Sequence, residues 1–273
     1  MSKISYDSFP PLSPRLHYWY RLYVRYLRPG KFKRYQTKRN LPSSDNNSCR
    51  PFDERRCIFV HIPKCAGISV SRSLFGNVSG AHLTLKQFQI MFSPEDFSEY
   101  FKFSFVRNPW DRLVSAFHFL KKGGITPRDK EWSETHLAPF ADFDAFVRGG
   151  IQQKKIRSLL HFRPQCDFIC LAGKRPGLNF IGFYENLDAD FAYICHKLNL
   201  DRKLLAANRN PSRKKDYREY YNDETREIVG RIYADDVKVL GYSFDNSTPP
   251  PMLAGRANFT PISEQTSNLS KLT

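Results

Sequence analysis

The stretch that decides the fold runs Cys57-Ile58-Phe59-Val60-His61-Ile62-Pro63-Lys64-Cys65-Ala66-Gly67-Ile68-Ser69-Val70. Cys57 to Ile62 is a short, almost continuous apolar run, the pattern of a central parallel strand covered on both faces. A tight turn of small residues follows, and the spacing predicts a helix from Ser69 to Phe75. Such a junction suits an anion, because N–H groups left unpaired at a helix N-terminus converge with the positive end of the helix dipole. Gly67 is expected to permit close backbone approach, Ser69 to add a hydroxyl donor and Lys64 a mobile charge. A Walker A loop would close on Gly-Lys-Ser/Thr, whereas in this turn the lysine leads. That weighs against a kinase using a nucleoside triphosphate.

The same grammar repeats downstream. Lys102 to Val106 reads as a second strand, and Asn108-Pro109 as an N-cap and first helical residue opening a helix through about Leu120. Asn179 to Tyr184 reads as a third strand followed by a helix from Asp188 to Leu198, and Asp223 to Val239 reads as one long helix. Repeated strand, turn and helix predict an α/β domain with a central parallel sheet flanked by helices. Arg107 leaves the C-terminal end of the second strand, where ligands bind in open α/β sheets, and Ser115 lies about two helical turns on. Taken alone, Arg107 reads equally as one half of an ordinary salt bridge.

Around these junctions the composition sets bounds. A chain of 273 residues that is 41% hydrophobic buries a substantial core, which excludes wholesale disorder. The net charge of +16 points to anionic partners: nucleic acid, acidic lipid, an acidic glycan or a phosphorylated cofactor. That charge is concentrated at the start, where residues 1–50 hold 11 Lys+Arg against 2 Asp+Glu. Pro42 to Pro51 is a polar, turn-rich linker, and the sequence from Asp245 onward is poor in core-forming residues. We therefore divide the chain into a basic N-terminal arm and linker (1–50), one domain (51–245) and a flexible C-terminal tail (246–273). No signal peptide or transmembrane anchor is evident, so a cytoplasmic location is expected. His17 to Leu27 is too short and too rich in arginine to span a bilayer. Its aromatics and arginines suit either peripheral membrane contact through residues 15–35 or docking on its own domain. Six sparse cysteines lack paired zinc spacing and read as reduced thiols. Cys166 and Cys170, four apart with no second half-site, read as buried thiols rather than a metal site.

Together, FVHIPKCAGISV (59–70, with its strand) and FSFVRNPWDRLVSAF (103–117) resemble the 5'-phosphosulfate loop and the 3'-phosphate motif of sulfotransferases that use 3'-phosphoadenosine 5'-phosphosulfate, PAPS. In the second motif an arginine is followed eight residues later by a serine, as Arg107 is by Ser115. HFRPQCDFI, NFIGFYENLDADFAYICHKLNL and the region from Tyr220-Tyr221 to DDVKVLGYSF resemble the carbohydrate-modifying branch, which includes chondroitin, dermatan and heparan 2-O-sulfotransferases and bacterial relatives. The likeness covers about 57 to 244. It implies a P-loop nucleotide-kinase-like three-layer fold and transfer of a sulfuryl group from PAPS to a carbohydrate hydroxyl, releasing 3',5'-adenosine bisphosphate. Lys64 would stabilise the charge that develops on the leaving phosphate, and Cys65, Ala66, Gly67, Ile68 and Ser69 would cradle the 5'-phosphate. Arg107 and Ser115 would hold the 3'-phosphate; the basic loop Asn208 to Lys215 would close over the cofactor, with Arg213 a further ligand, or contact an acidic acceptor, and it reads equally as a solvated charge run. No metal is demanded.

A base must take the acceptor's proton, and histidine suits neutral pH. His82, between the two phosphate motifs, resembles the base of the heparan 2-O type and is the first candidate; His118 is the second. His136 and His161 read as acceptor-site or packing residues, and His61, at the end of a buried strand, as structural. The rival readings are a basic nucleic-acid-binding protein and an ATP-dependent kinase. The partner foreseen is a carbohydrate acceptor, a polysaccharide, with no nucleic acid.

Overall fold

The computed structural model describes residues 14–171, 174–205 and 216–245. Three strands, β1 (Cys57–Val60), β2 (Phe101–Val106) and β3 (Phe180–Phe183), form a parallel sheet in the order β1-β2-β3. Every residue of β1 and β3 is buried, as are all of β2 beyond its first. Because successive side chains point to opposite faces, both faces of the sheet are covered. The parallel α/β expectation holds.

Register then places the site. Val60 pairs with Ser104 and Val106 with Phe183. The chain leaving β1 therefore runs two residues further beside β2, which brings the Pro63-Lys64 turn level with Arg107, while Arg107 comes out beside Tyr184.

The helices begin with α1 (Pro14–Leu27) and α2 (Pro29–Asn40), followed by short α3 (Arg50–Glu54) before β1. From β1 the chain enters α4 (Gly67–Phe75), then α5 (Leu85–Met91) and α6 (Pro94–Glu99), and returns as β2. Helix α7 (Pro109–Lys121) leaves β2, and α8 (Pro127–His136), α9 (Phe143–Ala145), α10 (Lys154–Arg157) and α11 (Cys166–Ile169) lead to β3. Helix α12 (Leu187–Lys197) leaves β3, with α13 (Asp223–Ile232) and α14 (Ala234–Leu240) closing the domain. Asn108 caps α7 as expected, its side chain accepting from the N–H groups of Trp110 and Asp111. The single helix expected from Asp223 to Val239 is instead two. Tyr233 breaks it with φ −105° and ψ 28°, and its buried hydroxyl donates to the Phe162 carbonyl at 2.7 Å.

Two apolar clusters result, one between the sheet and its covering helices, the other around Trp110, Phe117, Phe146, Phe162 and Tyr233. Helices α1 and α2 dock on α5 and α6. The His17 ring nitrogen hydrogen-bonds the Gln89 carbonyl (2.6 Å), Val24 and Tyr35 are buried, and Arg39 pairs with Asp53 and Asp96. Among the described residues no helix is long and apolar enough to cross a membrane.

Candidate functional site

The turn after β1 is bent in a way that its sequence does not favour. Lys64 (φ 69°) and Ala66 (φ 60°) both occupy the left-handed region without being glycine, a conformation that persists only where the surroundings enforce it. They do: Arg112 Nε donates to the Pro63 carbonyl (3.0 Å), Arg107 Nη1 donates to the Lys64 carbonyl (3.1 Å), and the Cys65 thiol lies 3.4 Å from Gln165 Oε1. Helix α4 then starts at Gly67, with Val70 N–H the first to bond back, to Ala66. The N–H groups of Gly67, Ile68 and Ser69 therefore have no intrahelical acceptor. At Gly67 the space a Cβ would fill is occupied by the His61 imidazole, so the missing side chain admits this ring.

Arg107 is held from all sides. Gln165 accepts from its N–H (2.9 Å) and donates to its carbonyl (2.8 Å), while Glu185 accepts from the Asn108 N–H (2.7 Å) and from the Tyr242 hydroxyl (2.9 Å). Its guanidinium lies 3.8 Å over the Tyr184 ring, and its Nε donates to Asp111 at 2.6 Å. The salt bridge weighed as the rival reading is therefore present. Even so, among the described residues Nη2 has no hydrogen-bond partner. Ser115 is half-buried on the same face of α7 as Asp111, one turn further.

Three imidazoles gather beside this turn. His82 Nδ1 lies 3.0 Å from the His61 carbonyl oxygen, and its ring centroid is 4.3 Å from that of His61 and 6.4 Å from that of His161. His161 stacks on Phe119 at 5.0 Å, and Lys64 Nζ sits 3.8 Å over the Phe119 ring. Burial pushes the pKa of His82 down, with Arg112 and Lys64 adding to the effect against the His61 carbonyl. Burial and the neighbouring Lys64 push His161 to about 3, and burial takes His61 well below its usual range. All three rings are thus neutral near pH 7. A carbonyl only accepts, so Nδ1 of His82 carries the proton and Nε2 keeps its lone pair.

His118 stands apart from this cluster. Its ring packs against Tyr220 at 4.9 Å, it feels Lys122 rather than Lys64, and its buried Nε2 has no hydrogen-bond partner among the described residues. His136 stacks on Trp132 (4.7 Å, 2° between planes). Trp132 and His161 line a cleft of about 450 Å³ together with Arg128, Asp129 and Lys155. A second hollow of about 300 Å³, lined by Gln152, Arg157, Ile228, Arg231 and Ile232, holds none of the site residues. Arg213 and its loop lie outside the described residues.

Arg112, Gln165 and Asp236 were not singled out by sequence reasoning. Arg112 is among the largest fully buried side chains and reaches the carbonyls of both Pro63 and His161. Asp236, itself fully buried, accepts from the N–H groups of Gln165 and Cys166. Gln165 and Asp236 lie outside both phosphate motifs, and Arg112, though inside the second, reads there as an ordinary helix-surface arginine, so only the fold reveals their roles. Burial raises the Cys65 thiol to about 12, which keeps it protonated, and all six cysteines are free.

The strand ends of this parallel α/β sheet thus bring together a lysine, an arginine, an open helix N-terminus and a neutral histidine. Comparison with known proteins makes this specific: residues 51–243 match the model of the sulfotransferase family, and the chain belongs to that family. An uncharacterized protein of Archaeoglobus fulgidus is 30% identical over 108 residues, 40% of this chain and 75% of that protein. No solved structure matches the chain.

Proposed function

We propose that this sulfotransferase takes its sulfuryl group from PAPS and delivers it to a carbohydrate hydroxyl. The observation that carries the reading is the 3.1 Å bond from Arg107 Nη1 to the Lys64 carbonyl, which joins the two anion-binding junctions into one site. The donor set suits a bisphosphorylated nucleotide. Lys64, the first N–H groups of α4 and the Ser69 hydroxyl would hold one phosphate, and Arg107 Nη2 with Ser115 the other. PAPS supplies the activated sulfuryl group. Lys64 and the α4 N-terminus would face the negative charge that develops on departure, where donors already in place lower the barrier. They supply that stabilisation without a metal.

His82 accepts the acceptor's proton at Nε2, with the His61 carbonyl fixing the tautomer. The cleft of Arg128, Trp132, Lys155 and His161 receives the sugar, its cations matching an acidic polysaccharide and Trp132 offering a flat apolar face. We read the sheet and helices as the core of a nucleotide-kinase-like three-layer fold. A labelled-sulfate transfer assay from PAPS across neutral and acidic glycans tests the proposal. Labelled product on at least one glycan is expected; label transferred only to phenols or lipid alcohols would overturn the acceptor, and none from PAPS at all would overturn the donor.

A further inference from the structure

Helix α1 has two apolar faces, and among the described residues only one is packed. His17 and Val24 point inward and are buried against the domain. Leu16, Trp19, Tyr20, Tyr23, Tyr26 and Leu27 are all exposed, Trp19 at 65%, Leu27 at 68% and Tyr26 at 71%, and Tyr18, also exposed, lies outside the stripe the six form. Their spacing of three, one, three, three and one residues places them within one stripe about 120° wide at 100° per residue. The docked face fixes that stripe outward.

Charge selects the occupant. Residues 14–40 contain nine Lys and Arg and no Asp or Glu. Arg39 is taken up by Asp53 and Asp96. Arg15, Arg25, Arg28, Lys31, Lys33 and Arg34 are exposed, and among the described residues none of the six is in an ion pair. Tryptophan and tyrosine partition to the headgroup level of a bilayer, leucine just below it, and flanking cations bind acidic headgroups. Two copies paired through this stripe would set the same cations against each other. A single-stranded nucleic acid is held in a basic groove with bases stacked on aromatics, whereas this stripe is convex and ends in leucines. We infer that α1 is an interfacial anchor that lays the enzyme on an anionic membrane surface, with Trp19, Tyr23, Tyr26 and Leu27 inserted and the α1–α2 cations on the headgroups.

The test is co-sedimentation of the full chain with vesicles of phosphatidylcholine alone or mixed with phosphatidylserine, with quenching of tryptophan emission by bromine-labelled lipid. Binding only to the phosphatidylserine vesicles, weakened about tenfold or more in Trp19→Ser/Tyr26→Ser/Leu27→Ser and in Arg25→Glu/Arg28→Glu, is expected. Unquenched emission on bound vesicles, equal binding to both lipids, or no binding to either overturns the inference. So does a sedimentation velocity profile in which the triple variant turns a dimer into a monomer. Single-stranded RNA displacing the protein from vesicles, with RNA affinity lost in the same triple variant, would assign the stripe to nucleic acid instead.

Discussion

The Nδ1 atom of His82 lies 3.0 Å from the carbonyl oxygen of His61, and the two rings lie 4.3 Å apart. This contact fixes the imidazole in the tautomer with a free lone pair on Nε2, and burial keeps it neutral. His82→Ala should lower the turnover of sulfuryl transfer by about 10²- to 10⁴-fold while leaving affinity for adenosine 3',5'-bisphosphate nearly unchanged. His118→Ala, whose ring faces Tyr220, should keep most of the rate. The reverse pattern in steady-state kinetics would move the base to His118.

Because the pKa of His82 is lowered, the base form persists as pH falls below the usual histidine range, and the acidic limb of kcat should lie below 6.5. Stability should behave oppositely to that of a paired, raised histidine. His61 and His161 are buried neutral, so the unfolded state binds protons that the folded state refuses. The stability they contribute is full above about 6.5, declines as pH falls through that value, and for His161 is gone by about 3. Urea midpoints that stay flat from pH 7 to 5 would contradict this.

Gly67→Ala should destabilise the fold by about 2 kcal/mol, because the new methyl overlaps the buried His61 ring. His61→Ala should relieve that clash, so the double variant should be more stable than the two single effects predict when added. Additive losses in urea unfolding would mean that ring and glycine do not compete for one space.

Arg112→Leu should cost about 3 to 5 kcal/mol. It strips the guanidinium from two buried carbonyls and removes the cation whose field stabilises the buried Asp236 carboxylate. A change below about 0.5 kcal/mol, the range of an ordinary surface substitution, would show that the turn holds its left-handed residues without this support.

How much of this was legible in the sequence follows from what each residue type reports. Cys57 to Ile62 and Lys102 to Val106 announce strands because an unbroken apolar run is demanded when both faces are covered, and Asn108-Pro109 announces a helix because both residues act locally. Membership of the sulfotransferase family, read from the two phosphate motifs, holds over 51–243. The break at Tyr233 leaves no such trace: no glycine or proline stands at the break itself, and the tyrosine there is tied to Phe162, 71 positions away. Arg112 looks like any helix-surface arginine until the fold closes over it. Gly67 is expected to permit close backbone approach, but sequence cannot say that an imidazole six residues earlier fills the space of its missing side chain.

Arg107→Ala should weaken binding of adenosine 3',5'-bisphosphate by about tenfold or more, the loss of a charge-assisted bond. Arg107→Lys should not restore it, since a lysine cannot keep Asp111, the Lys64 carbonyl and a ligand together. Full rescue by lysine would reduce Arg107 to a point charge.

The most direct test is titration calorimetry of the full chain with adenosine 3',5'-bisphosphate in the presence of EDTA, alongside Lys64→Ala. One saturable site, weakened in the variant, is the predicted outcome. A flat thermogram for the unaltered protein, or identical isotherms for both, would contradict the claim that these two turns grip a single bisphosphorylated nucleotide.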